Sequence, residues 1–228
     1  LSSLYVYEWG PRSDGISSSD NSIRPAEVLV IDNASTDGSM NMVAAEFPAV
    51  QLIANPENRG FTGGNNQGLA LAHGRYVLFL NPDTVVSPGA LSTMVAYMEA
   101  HPKVGALGPR LRYGDGSLQS SARRFPTLAT ALLESTPLAW HWPENRWARA
   151  YRMEDEGLKI EDSRLKIQIA PEMAANLQSS IFNVASPVDW VVGAALLTRR
   201  AVLDEIGGFD EGYFMYSEEL DWCRRAAL

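Results

Sequence analysis

The sequence has one cysteine, Cys223, in 228 residues, and it has no excess of basic side chains. A single cysteine excludes an internal disulfide and any metal site made of several cysteines, and this cysteine usage favours a reducing compartment. The 19 basic residues are outnumbered by 27 acidic ones, and the net charge of −8 excludes nucleic-acid binding through a broad basic face. Long apolar runs are also lacking, because no stretch approaches the ~20 residues of a bilayer-spanning helix.

What the sequence does contain is the composition of a folded globular chain, with 46% apolar and 20% charged residues. Both ends look cut, since there is no initiator methionine and the helical pattern after residue 217 has no closing signal. Residues 1–26 show no strand or helix period, and their serines, aspartates, glycines and prolines predict a loop. Residues 1–4 fit the tail of a helix whose beginning is missing.

From residue 27 onward, short apolar runs alternate with helical patterns and polar turns. This order predicts an α/β fold with parallel strands, which bind ligands at their carboxyl ends. We expect an irregular, mostly helical insertion over residues 127–186 and a hairpin turn at residues 114–116. The predicted strands are 28–31, 51–54, 76–80, 104–107 and 188–197, and the predicted helices are 39–46, 65–72, 88–100, 200–206 and one beginning at 217.

Two aspartates, Asp32 and Asp83, each come just after a predicted strand, so we expect their side chains to converge on one crevice. Asp83 can hold a divalent ion whose other ligands are substrate phosphates and water, but the sequence Asn81-Pro82-Asp83 also fits an ordinary turn. Asp32 can accept hydrogen bonds from a base or a ribose. The alternative is that Asp32 or Asn33 caps the following helix.

A glycine-rich segment covers residues 58–68. Its glycines allow the backbone to approach a ligand closely, and Asn65 or Asn66 would open a helix whose amides face an anion. The glycine spacing is not that of the dinucleotide fingerprint, and no Walker lysine follows. This segment alone is therefore a weak indication of a nucleotide site.

Five carboxylates lie between Asp210 and Asp221 with no basic residue among them. Crowded carboxylates raise one another's pKa values, which suits a general base. The alternative is a helix start in which Ser217 is the cap and the helix dipole favours Glu218 and Glu219. Helical geometry places Glu218 and Asp221 on one face and turns Glu219 about 100° away from Glu218.

In their order and spacing, these segments resemble the conserved segments of glycosyltransferase family 2 from residue 27 to residue 225. Within that family, the resemblance is to the rhamnosyltransferase-like enzymes of surface polysaccharide synthesis. Residues 30–39 resemble the family's nucleotide-binding turn, 58–68 its next loop, 78–84 its metal-binding motif and 207–225 its acceptor-side segment. The resemblance implies a GT-A fold, with a Rossmann-like mixed, mostly parallel sheet. It also implies a nucleotide-diphosphate sugar donor, Mg²⁺ or Mn²⁺, and inversion at the sugar carbon.

The resemblance assigns a role to each candidate residue. Glu219 takes the position of the general base, with Glu218 and Asp221 as rivals, and Asp83 binds the metal although Asn81 stands where the fuller motif has an aspartate. The acceptor side would be lined by Asp189, Trp190 and Gly193, for which an ordinary core strand is equally compatible. The nucleotide-sugar would be held by Asp32, Asn33, Asn58, Gly60, Asn65, Asn81 and Asp83.

The resemblance also sets expectations for the boundaries and the partners of the chain. Residues 1–26 would be a remnant after a missing first strand and helix, and residues 27–228 an incomplete catalytic domain with unpaired strand edges. The acceptor would be a glycan or a lipid-linked hydroxyl. Such an enzyme would work in the cytoplasm or at the cytoplasmic face of the membrane, with peripheral membrane association through missing segments. Two alternatives are a sugar nucleotidyltransferase and a non-catalytic sugar-nucleotide-binding module.

Overall fold

A computed structural model describes residues 2–7, 27–134, 136, 141–142, 145–153 and 185–228. The chain divides into two compact units, one made of Leu1–Phe125 and Asp189–Leu228, the other of Pro126–Val188. The second unit coincides within two residues with the insertion expected at residues 127–186. Its described helices are α4 (Leu128–Glu134) and α5 (Arg146–Tyr151), and the remainder of the predicted insertion lies outside the described residues.

The first unit is built on a six-stranded sheet with helices on both faces. Its strands are β1 (Ser2–Tyr7), β2 (Glu27–Asn33), β3 (Gln51–Asn55), β4 (Tyr76–Leu80), β5 (Ala106–Leu107) and β10 (Ala195–Arg199). Two two-stranded sheets are formed by β6 (Leu111–Arg112) with β7 (Leu118–Gln119), and by β8 (Ala122–Arg123) with β9 (Trp190–Val191). The helices are α1 (Ser39–Glu46), α2 (Gly60–Leu71), α3 (Ala90–Ala100), α6 (Arg200–Ile206) and α7 (Glu218–Ala226).

The order across the main sheet is β3-β2-β1-β4-β10-β5. The sheet is mixed, as expected, and β3, β2, β4 and β5 point the same way. Among the strands of the described residues, however, only β2 and β3 form a parallel pair, because β1 and β10 run opposite to both of their neighbours. The expectation of a mostly parallel sheet is therefore correct for strand direction and wrong for strand pairing.

The strand β1 corrects the prediction for the start of the chain. Residues 2–7 form neither a loop nor the tail of a helix, but a strand between β2 and β4. Leu4 pairs with Leu29 on one side and with Phe79 on the other. The edges of β2 and β4 that were expected to be unpaired are therefore hydrogen-bonded. Residues 8–26 lie outside the described residues.

Apolar side chains cover both faces of the sheet. Alternate residues of β4 point to opposite faces, so this strand contributes to an apolar cluster on each side. Val77 and Phe79 pack in one cluster with Leu29, Leu196, Leu203, Phe209 and Trp222. Tyr76, Leu78 and Leu80 pack in the other with Leu197 and with Met94, Val95 and Met98 of α3. The all-apolar sequence of residues 76–80 thus predicted a strand covered on both sides, and this is confirmed.

Several element boundaries differ from the predictions. Helix α2 begins at Gly60, five residues before the predicted start, and α3 begins at Ala90 after Gly89 with φ +79°. The run predicted as one strand at 188–197 is split between β9 and β10, which belong to different sheets. The hairpin turn at residues 114–116 is confirmed, with the Tyr113 amide donating to the Ser117 carbonyl.

Candidate active site

The carboxyl end of β2 carries Asp32, which is 1% exposed. Its Oδ2 accepts a hydrogen bond from the Ser35 amide at 3.1 Å, whereas its Oδ1 is enclosed and has no partner among the described residues. The residue before α1 is Gly38, and no side chain caps this helix. Neither Asp32 nor Asn33 is therefore a helix cap, and the buried Asp32 Oδ1 retains its full capacity to accept a hydrogen bond.

Asn33 joins the ends of β2 and β3 to the start of α2. Its Nδ2 donates to the Gly60 carbonyl at 2.9 Å, and its Oδ1 accepts from Asn55 Nδ2 at 3.0 Å. The same Asn55 amide donates to Gln67 Oε1 at 2.8 Å, and Asn58 Oδ1 accepts from the Gly60 amide at 2.9 Å. The sequence predictions did not include Asn55 or Gln67, although the polar residue ending β3 was a usable signal.

Asn65 lies inside α2 and not at its beginning. It is 1% exposed, and its Nδ2 donates to the Phe61 carbonyl one turn earlier at 2.8 Å. The prediction that Asn65 or Asn66 opens a helix is therefore wrong. In the first turn of α2, the Phe61 amide already donates to the Phe214 carbonyl at 2.9 Å.

The segment after β4 carries Asn81, which is half-buried, and Asp83, which is exposed. The turn that was the alternative interpretation is present, because the Thr84 amide donates to the Asn81 carbonyl at 3.2 Å. The described residues contain no cluster of three or more His, Cys, Asp or Glu side chains that could enclose a metal. An exposed single carboxylate still fits an ion that takes most of its ligands from a diphosphate and water.

Glu218 and Glu219, the first two residues of α7, are adjacent buried carboxyl groups. They are 4% and 8% exposed, and the Oε2 atom of each is enclosed without a hydrogen-bond partner among the described residues. Glu219 Oε1 accepts a hydrogen bond from the Gly193 amide at 3.3 Å. Two adjacent buried carboxyl groups are costly unless a proton or a ligand compensates them.

The pKa of Glu218 is raised to about 7, chiefly because the carboxyl group is buried, and the neighbouring negative charge of Glu219 acts in the same direction. Asp221 differs from both glutamates, because its Oδ2 accepts from Arg225 Nε at 2.8 Å. Arg225 is also fixed by the carbonyls of Ile206 and Gly208. The charge of Asp221 is therefore paired, which leaves Glu218 and Glu219 as the candidates for proton transfer.

Ser217 does not act as the side-chain cap of α7. Its backbone has φ +71°, as does that of Tyr216, and its side chain makes no capping hydrogen bond. The interpretation of this segment as an ordinary capped helix start thus loses its main support. The two glutamates in the first turn still have a favourable interaction with the helix dipole, as that interpretation expected.

The three residues predicted at the acceptor side have different surroundings. Asp189 Oδ2 accepts from the Phe125 amide at 2.7 Å, and the buried Trp190 donates through Nε1 to the Arg124 carbonyl at 2.9 Å. Both side chains thus hold backbone beside β8 and β9. Gly193 lies against the candidate base, since a Cβ there would be 3.7 Å from the Glu219 carboxyl carbon.

The Glycosyl transferase family 2 model matches residues 17–166. The chain is 32% identical over 209 residues to the N-acetylglucosaminyl-diphospho-decaprenol L-rhamnosyltransferase of Mycobacterium tuberculosis, covering 87% of this chain and 60% of that protein. It is 26% identical over 175 residues to rhamnosyltransferase WbbL of Escherichia coli, covering 72% and 54%. The chain thus spans 54–60% of the length of these two relatives.

A crystal structure of S. aureus TarS 1–349 in complex with UDP has a TM-score of 0.48 and 20% identity, covering 88% of this chain and 45% of that one. None of the described helices has the length and apolar content needed to cross a bilayer.

Because the family model covers well over half of the chain, and the fold is a mixed α/β sheet of the GT-A type, the chain belongs to glycosyl transferase family 2.

Proposed function

We propose that the full-length protein is an inverting glycosyltransferase that moves a sugar such as rhamnose from a nucleotide-diphosphate donor to an acceptor hydroxyl. The acceptor is a glycan or a lipid-linked sugar. Family membership supports the reaction class, and the two relatives, both rhamnosyltransferases, support the sugar. The mycobacterial relative, which acts on N-acetylglucosaminyl-diphospho-decaprenol, supports a lipid-linked acceptor. The reaction would proceed in the cytoplasm or at the cytoplasmic face of the membrane.

The observation that carries this proposal is the buried pair Glu218 and Glu219, in which each carboxyl group keeps one enclosed and unpartnered oxygen. The pKa of Glu218 is raised to about 7, chiefly by burial, so this carboxyl group binds its proton more tightly than an exposed glutamate does. The Gly193 amide fixes one oxygen of Glu219, and the other, which has no hydrogen-bond partner among the described residues, would remove the acceptor proton once an acceptor reaches it. Attack from the face opposite the leaving diphosphate inverts the sugar carbon.

The donor would bind at the carboxyl ends of β2 and β4. The buried Asp32 Oδ1 would accept a hydrogen bond from the base or the ribose, and Asn33, Asn58 and Gly60 would shape the adjoining backbone. Asn81 and Asp83 would face the diphosphate. Asn65 would support the helix and not touch the donor, because its amide is used inside α2.

Mg²⁺ or Mn²⁺ held by Asp83 would neutralise the charge that develops on the leaving diphosphate. Calorimetric titration with a panel of nucleotide-sugars, with and without Mn²⁺, tests this role. We expect metal-dependent donor binding in the parent protein and its loss in Asp83→Asn, which keeps the shape but removes the charge. If Asp83→Asn binds donor and metal as the parent does, the metal assignment is wrong.

The products distinguish the proposed reaction from its alternatives. We expect the full-length protein to release nucleoside diphosphate in proportion to glycosylated acceptor. Release of pyrophosphate from a nucleoside triphosphate and a sugar 1-phosphate would instead indicate a sugar nucleotidyltransferase. Donor binding without acceptor-dependent turnover would indicate a binding module.

A further inference from the structure

The segment that leads into Glu218 and Glu219 has little support of its own. We call residues 209–217 the base loop; it contains no helix or strand. Phe214, Met215 and Tyr216 are 58%, 49% and 76% exposed, so apolar burial does not hold its second half. Tyr216 and Ser217 also adopt φ +71°, a conformation that side chains other than glycine rarely adopt. Contacts with another element must therefore hold the base loop in place.

Those contacts come from α2. The Phe61 amide donates to the Phe214 carbonyl at 2.9 Å, and Thr62 Oγ1 donates to the Tyr213 carbonyl at 2.5 Å. Asn66 closes a pair of hydrogen bonds with the backbone of Phe209, at 2.8 and 2.9 Å. The base loop is thus held by hydrogen bonds from the first two turns of one helix.

Gly60, at the start of α2, contacts both the proposed donor side and the base loop. It has φ +73°, and a Cβ on it would lie 2.6 Å from the Phe214 carbonyl oxygen and 2.7 Å from the Phe214 ring. Its own carbonyl accepts from Asn33 at the end of β2. One residue therefore contacts the proposed donor side through its carbonyl and the base loop through its Cα.

We propose that Gly60 and Thr62 are positioning residues that set the base loop against α2 and connect the donor side at Asn33 to the carboxylates of α7. This inference rests on the proposed function for its catalytic consequence. Occupation of the donor site would tighten the contact at Gly60 and thereby order the base loop. The proposal applies to how the base is placed, and neither residue is expected to touch the acceptor.

Two matched pairs of variants test the proposal. Gly60→Ala adds a methyl group against Phe214, whereas Gly116→Ala is equally strained at φ +84° but has no atom within 4 Å of its Cβ position. Thr62→Val removes the hydroxyl that donates to Tyr213, whereas Thr62→Ser keeps it. Each pair separates the contact with the base loop from general effects on backbone or core.

Hydrogen–deuterium exchange measures the contact without any assumption about catalysis. We expect faster exchange at residues 209–219 and at the Phe61 amide in Gly60→Ala and Thr62→Val, and parental exchange in Gly116→Ala and Thr62→Ser. In the parent, saturating UDP, GDP or dTDP, whichever binds, should slow exchange at residues 209–219. Parental exchange of the base loop in both Gly60→Ala and Thr62→Val would overturn the proposal.

Kinetics then measure the catalytic consequence. We expect kcat to fall on the order of 10- to 10²-fold in Gly60→Ala and Thr62→Val, since small misplacements of catalytic groups have effects of this size. Donor binding should weaken in Gly60→Ala as well, because a coupling between donor binding and loop ordering is reciprocal. Parental kcat in both variants, alongside an active parent, would overturn the positioning role. An inactive parent whose exchange results are as expected would instead refute the proposed function and leave the structural connection in place.

Discussion

At the scale of single residues, two neighbouring glutamates of the same chemistry acquire different properties from their surroundings. One oxygen of Glu219 is fixed by the Gly193 amide, whereas the pKa of Glu218 is raised to about 7, chiefly by burial. Asp221, three residues further, is held by Arg225. The proposed division between the base and a paired structural charge therefore depends on burial and partners and not on residue type.

Replacement of the proposed base tests this division. Glu219→Gln keeps the size and hydrogen bonding of the side chain but cannot accept a proton, so we expect kcat to fall by ~10²–10⁴-fold with donor Kd nearly unchanged. Steady-state kinetics with calorimetry of donor binding provide the measurement. Glu205→Gln, exposed on α6, is the matched control and should retain the parental kcat. A large loss in Glu218→Gln with parental kcat in Glu219→Gln would make Glu218 the base.

The raised pKa of Glu218 predicts a pH dependence of folding stability. Between its ordinary value of 4.5 and about 7, the native carboxyl keeps a proton that the unfolded chain releases. The native state then binds more protons, so this group lowers the free energy of unfolding as pH rises through that range. Urea unfolding at pH 5, 6, 7 and 8 should show a shallower decline in Glu218→Gln than in the parent. Equal slopes in the two proteins would contradict the raised pKa.

At the scale of elements, β4 and β10 tie the two sides of the sheet together. Phe79 and Leu196 pack in the cluster that contains Trp222 of α7, while Leu78 and Leu197 pack against α3. The main-chain contact between the Asn81 amide and the Ala194 carbonyl, at 2.9 Å, continues this pairing past the end of β4. The strand that leads away from Gly193 thus shares its core with the helix that carries Glu219.

Truncation of one core side chain measures the contribution of this cluster. Leu196 is fully buried, so Leu196→Ala removes apolar contact and leaves a cavity, and we expect a loss of ~2–5 kcal/mol in the free energy of unfolding. Leu118→Ala in the exposed hairpin is the control, with an expected change within ~0.5 kcal/mol. Denaturant titration provides both values. Similar small changes in the two variants would show that β10 does not belong to the core.

At the scale of the whole molecule, the main sheet is assembled from segments that are far apart in the sequence. One of its two central strands, β1, comes from residues 2–7, and β10, on the other side of β4, comes from residues 195–199. The chain between them includes the unit Pro126–Val188. Such non-local pairing makes the sheet depend on both ends of the described chain.

A proline in β1 tests whether this strand completes the sheet. Leu4→Pro removes the backbone amide at a position paired with both β2 and β4, whereas Leu4→Ala keeps it. We expect Leu4→Pro to melt at a clearly lower temperature than Leu4→Ala and to aggregate through the exposed strand edges. Thermal melting and size-exclusion chromatography provide the measurements. Equal melting temperatures in the two variants would place residues 2–7 outside the sheet.

The sequence alone determined the elements whose signals are local. The apolar run of residues 76–80 predicted β4 with its observed bounds, and the helices at residues 39–46 and 200–206 were predicted with equal accuracy. The combined motifs also indicated family 2, which the family match confirms. These predictions succeeded because hydrophobic period and turn residues act within a few positions of one another.

The tertiary structure decided the features that depend on distant partners. The sequence could not place Ser2–Tyr7 in the sheet, because a central strand is defined by its neighbours β2 and β4 and not by its own pattern. It could not show that Gly60 meets Phe214, or that Arg225 pairs with Asp221 while Glu218 and Glu219 keep unpartnered oxygens. Burial and its effect on a carboxyl pKa arise only when segments far apart in the chain pack together, which is why the distinct environments of the two glutamates emerged only from the fold.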